Sequence, residues 1–281
     1  MNRFRSVFDE AGLEVIVADV DERLEEEELL QYAGQIDGTI CGDDRFSERV
    51  LEAAAPRLKV ISKWGTGIDS IDGRAAERLQ IQVFNTPGAF TEAVADSVLG
   101  YILSFARGLP WMDRAMKRGN WEKRRAHALN ELTLGVIGVG RIGKAVLTRA
   151  NAFGMKLFGY DVVEVDTEFV ESVGVRMVPL EELLQTSDYV SLNCDLNPTS
   201  RGLINQERLR MMKEGSILIN TARGPVVEEA ALIEALQSDR LAGAALDVFE
   251  QEPLPDESPL RRMENVLLAP HNANSSEPAW E

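Results

Sequence analysis

The chain has 281 residues, 44% of them hydrophobic, enough for two α/β domains or one large one. Its formal net charge of −16 argues against nucleic acid, because neutralising phosphates needs clustered Lys and Arg. No apolar run reaches bilayer length. The N-terminus carries Arg3, Arg5, Asp9 and Glu10 where a signal peptide would be apolar, so no membrane partner and a cytoplasmic location are expected.

Short β-branched runs alternate with longer helical ones, the pattern of parallel sheets. The first part reads helix Arg3–Ala11, strand Glu14–Ala18, helix Glu25–Ala33, strand Gly38–Cys41 and helix Ser47–Ala55. Strand Lys59–Lys63, helix Gly73–Leu79 and strand Gln82–Asn85 follow, then a long apolar helix, Thr91–Arg107, whose threonine and Glu92 suit a helix start. The second part opens with strand Thr133–Ile137, helix Ile142–Phe153 and strand Lys156–Tyr160. Its other strands are Val175–Val178, Tyr189–Asn193, Ser216–Asn220, Ala242–Asp247 and Val266–Ala269, with helices starting near Leu180, Gln206 and Glu228. The fold class is α/β, with a doubly wound sheet in the second part. Cys41 and Cys194 lie in apolar strand-like runs and read as buried, reduced thiols. With two histidines in all, no zinc site is expected. The basic cluster Lys117, Arg118, Lys123, Arg124 and Arg125 reads as a solvated loop or a subunit contact.

Gly138, Gly140, Arg141, Ile142 and Gly143 belong to a G-x-G-x-x-G run between the apolar strand TLGVI and the helix GKAVLTRANAF. Gly138 permits a tight turn, Gly140 lets backbone approach a pyrophosphate, and Gly143 lets helix and strand pack closely. The pyrophosphate would meet the unpaired N–H groups of the helix start. Asp161 ends the next strand, where an acid accepts hydrogen bonds from the adenosine ribose and repels a 2′-phosphate. No basic residue follows at once, so the expected cofactor is NAD.

Hydride transfer to a carbonyl needs a proton donor for the developing alkoxide, and histidine suits neutral pH. His127 lies in a charged stretch and reads as solvated. His271 follows the strand NVLLAP, and open α/β sheets place active sites at the carboxyl ends of strands. Glu252, in the turn FEQEPLP, is the candidate carboxylate to hold its tautomer and stabilise the imidazolium. Arg223 follows the strand SILIN in Thr221-Ala222-Arg223-Gly224. It can clamp a carboxylate and polarise a carbonyl, with Thr221 and Ala222 beside it as candidate cofactor contacts. Trp64, Gly65, Thr66 and Gly67 end another strand, and the glycines there expose backbone N–H groups that could cradle a carboxylate.

The stretches KWGTGIDSID, NTPGAFTEAVADSVLGYIL, TLGVIGVGRIGKAV, GSILINTARGPVVEEAALIEAL, GAALDVFEQEP and LAPH, in this order, resemble the D-isomer-specific 2-hydroxyacid dehydrogenases over nearly the whole chain. The resemblance implies two doubly wound domains. The NAD-binding Rossmann domain would span residues 87–270. A flavodoxin-like substrate domain would be formed by residues 1–86 and 271–281. It implies that Arg223 binds the substrate carboxylate and carbonyl, that Glu252 pairs with the catalytic His271, and that Asp247 meets the nicotinamide carboxamide. Gly65, Thr66 and Gly67 would receive the substrate carboxylate, with Trp64 lining the cleft. A small D-2-hydroxy or 2-oxo acid is the implied substrate, of the phosphoglycerate, glycerate/hydroxypyruvate or glyoxylate class, and a homodimer the implied assembly.

Relatives begin with a strand before the helix read at Arg3–Ala11 and end with a long helix, so the resemblance implies a substrate domain truncated at both chain ends. Asn193 and Asp195 stand where the family more often has His and Pro, near the cofactor. The alternative expectation is an NAD(H)-binding module without turnover, as in transcriptional corepressors that resemble this family.

Overall fold

The computed structural model describes residues 4–20 and 22–277. The chain divides into two compact units, Met1–Trp64 with Ser70–Phe84, and Gly65–Asp69 with Asn85–Glu281.

The first unit contains helices α1 (Arg5–Glu10), α2 (Glu26–Leu29), α3 (Glu48–Ala54) and α4 (Gly73–Arg78). Its strands are β1 (Gly38–Cys41), β2 (Val60–Lys63) and β3 (Gln82–Phe84), parallel and in the order β1-β2-β3. Ser47 caps α3 through Val50 N–H and Asp72 caps α4 through Ala75 N–H, each satisfying a donor the helix leaves orphaned. Phe46, Leu51, Leu58 and Ile61 fill the core. Lys63, 2% exposed, donates to Gly42 O and to Asp43 at 2.6 Å, tying the carboxyl ends of β1 and β2.

The strand expected at Glu14–Ala18 does not form: no described strand pairs with that segment. A short run of β-branched residues makes a strand only where a neighbour takes up the backbone hydrogen bonds. Here Leu13, Ile16, Val17 and Val20 remain 45–59% exposed.

The second unit opens with α5 (Thr91–Arg107) and α6 (Leu109–Lys117). The pattern β4 (Thr133–Ile137), α7 (Arg141–Ala152), β5 (Lys156–Tyr160), α8 (Thr167–Val173), β6 (Arg176–Met177), α9 (Leu180–Thr186), β7 (Tyr189–Leu192) follows. The unit closes with α10 (Gln206–Met211), β8 (Ile217–Asn220), α11 (Glu229–Gln237), β9 (Gly243–Leu246) and β10 (Val266–Leu268). The sequence reading missed α6 and α8. Gly108 at φ 66° ends α5, and Leu109-Pro110 immediately restarts a helix, a restart that punctuation by glycine and proline conceals. Thr91 opens α5 but Phe90 holds the capping position, without a side-chain bond.

All seven strands are parallel, in the order β10-β9-β8-β7-β4-β5-β6. The order reverses between β4 and β7, which opens a crevice at their carboxyl ends. Alternation along the strands feeds two cores. Val190, Leu192, Leu218, Ala244 and Leu246 pack with α9, α10 and α11, whereas Leu134, Val136, Ile217, Ile219 and Ala245 pack with α5 and α7. Both sheet faces are therefore covered, as parallel strands require.

Just after His271 the chain runs on within the second unit. Asn272 and Ala273 donate their N–H groups to Asp247 at 2.9 Å, and Ser97 Oγ donates to Ala273 O at 3.2 Å, so this segment is held by the second unit. Gly65–Asp69 join it as well: Thr86 Oγ1 accepts from Gly65 N–H at 3.0 Å, and Asn85 Nδ2 donates to Thr66 O at 2.7 Å. No described helix is long and apolar enough to cross a membrane.

Glu229 starts α11 and exchanges backbone hydrogen bonds with Glu250: Glu229 N–H donates to Glu250 Oε1 at 3.0 Å and Glu250 N–H to Glu229 Oε2 at 3.2 Å. Burial raises the Glu229 pKa, the Glu250 amide opposes the rise, and the Glu250 charge adds to it. The charged form is thus disfavoured in the folded chain, so this group adds stability as pH falls through the raised value. Glu229→Gln keeps an acceptor without the charge. It is expected to raise the melting temperature at neutral pH, by on the order of 2 °C. The gain should vanish below the ordinary carboxylate range, which thermal unfolding at several pH values measures.

Candidate functional site

Four loops at the carboxyl ends of strands in the second unit carry most of the candidate residues. The glycine loop joins β4 to α7. Gly138 adopts φ 88°, and a Cβ there would meet the backbone of Asn193 and Cys194 at 2.6–2.8 Å. A Cβ on Gly143 would collide with Gly138 O, and one on Gly140 would meet nothing within 4 Å. Gly143 is thus needed by the fold itself, whereas Gly140 keeps a space open. The N–H groups of Arg141, Ile142 and Gly143 have no acceptor among the described residues, the first helical bond of α7 running from Lys144 to Gly140 O. Asp161 directly follows β5 and accepts from Val139 N–H at 2.7 Å and Val163 N–H at 3.1 Å, which fixes its carboxylate beside the glycine loop.

The loop after β7 carries Asn193 and that after β8 carries Thr221. Asn193 Oδ1 and Thr221 Oγ1 are both buried without a hydrogen-bond partner. Buried polar atoms normally have one, and these two, at the carboxyl ends of β7 and β8, can take a ligand's polar groups. Three unpartnered helix-start N–H groups, an open space over Gly140 and these two orphaned oxygens together fit a dinucleotide. Cys194 is half-buried, less enclosed than its sequence context suggests, and both cysteines are free thiols. Burial pushes Cys194 up to about 11 and Cys41 up to about 12, so neither is a reactive thiolate.

Asn220, 1% exposed, shapes the β8 loop: its amide accepts from Ala222 N–H and donates to Arg223 O, both at 3.0 Å. A Cβ on Gly224 would collide with the backbone of Phe249 and Glu250, so the Arg223 loop lies directly on the loop that carries Glu252. Phe249 N–H donates to Glu252 Oε1 at 2.9 Å, leaving Oε2 on His271 Nδ1 at 3.0 Å. Both side chains are mostly buried, 17% and 20% exposed. His271 adopts φ 49°, uncommon for a residue with a Cβ and characteristic of functional positions. Its N–H is held by Asp247 O at 2.8 Å.

Asp247 is 1% exposed, and its two carboxylate oxygens accept Asn272 and Ala273 N–H. In the structure it fixes the loop after His271, a duty the spacing did not reveal.

Arg223 donates through Nε to Asp69 at 3.0 and 3.3 Å and through Nη1 to Ala222 O at 2.9 Å. Its Nη2 lies over Gly67, where any Cβ would strike it. The Thr66 and Gly67 N–H groups have no acceptor among the described residues. The second unit therefore joins Arg223 to the Gly65–Gly67 loop and Glu252 to His271. Trp64 belongs to the first unit and is 37% exposed. Asp69, Asn220 and the Phe249 amide were not singled out by sequence. Asp69 stood inside a quoted motif, and its only signal was an acid near two glycines.

A family model described as D-isomer specific 2-hydroxyacid dehydrogenase, NAD binding domain, matches residues 99–273. A glyoxylate reductase of Korarchaeum cryptofilum is 43% identical over 240 residues, 83% of this chain and 71% of that protein. A D-3-phosphoglycerate dehydrogenase of Methanocaldococcus jannaschii is 39% identical over 269 residues, 95% of this chain. The chain spans about half the length of that relative, 51%. Among solved structures, a D-lactate dehydrogenase from Aquifex aeolicus, complexed with NAD and lactic acid, superposes with a TM-score of 0.86 at 32% identity. The match covers 99% of this chain and 88% of that one.

Proposed function

The chain belongs to the D-isomer specific 2-hydroxyacid dehydrogenase family of NAD-dependent oxidoreductases, and from that premise we propose that it interconverts a small 2-oxo acid and its D-2-hydroxy acid. The observation that carries this reading is the Glu252–His271 pair at 3.0 Å, on a loop packed against the one that bears Arg223.

Gly138–Gly143, Asp161, Asn193, Thr221 and Ala222 would hold the cofactor, which when bound supplies or accepts the hydride. Arg223 Nη2 and the N–H groups of Thr66 and Gly67 would take the substrate carboxylate, fixing C2. Glu252 engages Nδ1 of His271, so proton exchange with the C2 oxygen falls to Nε2. In reduction the imidazolium gives that proton as the alkoxide forms, and in oxidation neutral His271 removes it. Glu252 stabilises the charged ring without taking up its proton.

For the substrate, the classes named by the relatives, glyoxylate and phosphoglycerate with the related hydroxypyruvate, are the proposed candidates. We further propose a cytoplasmic homodimer with no nucleic-acid or membrane partner. Leu109, Met116 and Trp121 expose 52%, 50% and 82% of their surface around α6, free thiols suit a reducing compartment, and the net charge is −16. The functional test is NADH consumption with glyoxylate, hydroxypyruvate, phosphohydroxypyruvate and pyruvate. Turnover with at least one is expected. NADH binding without turnover on any of them would favour a cofactor-sensing module instead.

A further inference from the structure

We infer that Asp69 is a positioning residue for the proposed reaction: it acts through Arg223, holding the guanidinium so that Nη2 addresses the substrate carboxylate. The inference rests on the dehydrogenase reading above and adds to it a residue outside the Arg–Glu–His set.

Arg223 carries five N–H donors around a planar fork. Asp69 engages Nε with both oxygens, at 3.0 and 3.3 Å, and Ala222 O engages Nη1 at 2.9 Å. These two anchors fix the plane and the rotation of the fork, and Nη2 is left beside Gly67. The N–H groups of Thr66 and Gly67, in the same loop, have no acceptor among the described residues. Asp69 lies only two residues after Gly67, so one short loop supplies both the backbone donors and the carboxylate that aims the guanidinium at them. A Cβ on Gly67 would also come within 2.8 Å of Asp69 Oδ1, so the three groups are in mutual contact. The ion-paired side chains of Arg223 and Asp69 are 22% and 24% exposed, which limits screening by solvent.

Without Asp69, one hydrogen bond to the backbone of its own neighbour would have to orient a side chain with four rotatable bonds. Misplacement by about an ångström costs on the order of 100-fold in rate. The Asp69 charge has a second effect. It partly cancels the positive charge of Arg223, so removing the charge while keeping an acceptor strengthens attraction for the substrate anion.

The test is steady-state kinetics on the full chain with its best 2-oxo acid. Asp69→Ala is expected to lower kcat/KM by about 30- to 100-fold with NADH affinity unchanged. Asp69→Asn, which keeps an acceptor for Nε, should stay within about 5-fold of wild-type kcat, with KM for the oxo acid equal or lower. In an Arg223→Ala background, Asp69→Ala should change the residual single-turnover rate by less than about 3-fold, because coupled residues are non-additive. If Asp69→Ala does not fold, Asp69→Glu, which displaces the carboxylate by a methylene, carries the same comparison. Wild-type kinetics in Asp69→Ala, or an undiminished loss in the Arg223→Ala background, would overturn the inference and leave the dehydrogenase reading standing. Absence of turnover by wild type on every 2-oxo acid would overturn that reading, and the inference with it.

Discussion

A His271→Asn variant is expected to lose between about 100- and 10,000-fold in kcat, the usual contribution of a positioned general acid, while binding NADH as wild type does. Asparagine is chosen because it tolerates the left-handed backbone that His271 adopts at φ 49°, so the loss reports chemistry and not a rebuilt loop. Asp247 holds this loop through the backbone of residues 271–273, and none of those bonds uses the imidazole. Glu252→Gln should also lose at least about 100-fold, because the tautomer and the charge of the ring depend on the carboxylate. Glu252 holds Phe249 N–H through its other oxygen, an acceptor that glutamine can supply. Steady-state kinetics and an NADH titration on both variants check this. Wild-type kcat in His271→Asn would remove the histidine from the mechanism.

The second large effect separates two glycines of one motif. Gly143→Ala places a Cβ against Gly138 O and within 3.2 Å of Val136 Cγ1. Neither backbone nor buried core can yield, so the first turn of α7 must lift from β4. NADH affinity should fall by about 100-fold or more, and the melting temperature should fall by several degrees, about what an overpacked core contact costs. Gly140→Ala meets nothing within 4 Å in the protein. It should leave the melting temperature within about 1 °C of wild type and still weaken NADH, because its missing Cβ matters only when a pyrophosphate approaches. Titration and thermal unfolding of the pair decide it. Normal NADH binding by Gly140→Ala would place the phosphates elsewhere.

The second unit was legible because its strands are buried on both faces and so write continuous apolar runs, and because each run ends in a chemically distinctive residue. Arg223, Asp161 and His271 could be placed at carboxyl ends from that pattern alone. What escaped were contacts made across long sequence separations. Asp69 and Arg223 are 154 positions apart, and nothing in GTGID says which cation will meet its acid. The resemblance implies a nicotinamide contact for Asp247; that its oxygens accept the N–H groups of Asn272 and Ala273, 25 and 26 positions away, is a contact no local pattern announces. Residues 14–18 show the complementary failure. Their β-branched apolar run is a good strand signal, yet a strand also needs a neighbouring backbone, which a local run does not encode. The helix α6 was hidden by the Gly-Leu-Pro sequence that both ends one helix and starts the next.

The most direct measurement follows the transferred hydrogen. Wild-type protein is given glyoxylate or hydroxypyruvate with NADH deuterated at nicotinamide C4, and the acid product is examined by mass spectrometry. One deuterium at C2 of the product from the correctly labelled face, and a rate that collapses in His271→Asn, are the results the site predicts. Product without deuterium at C2, or no product while the cofactor is bound, would contradict hydride transfer as the function of this site.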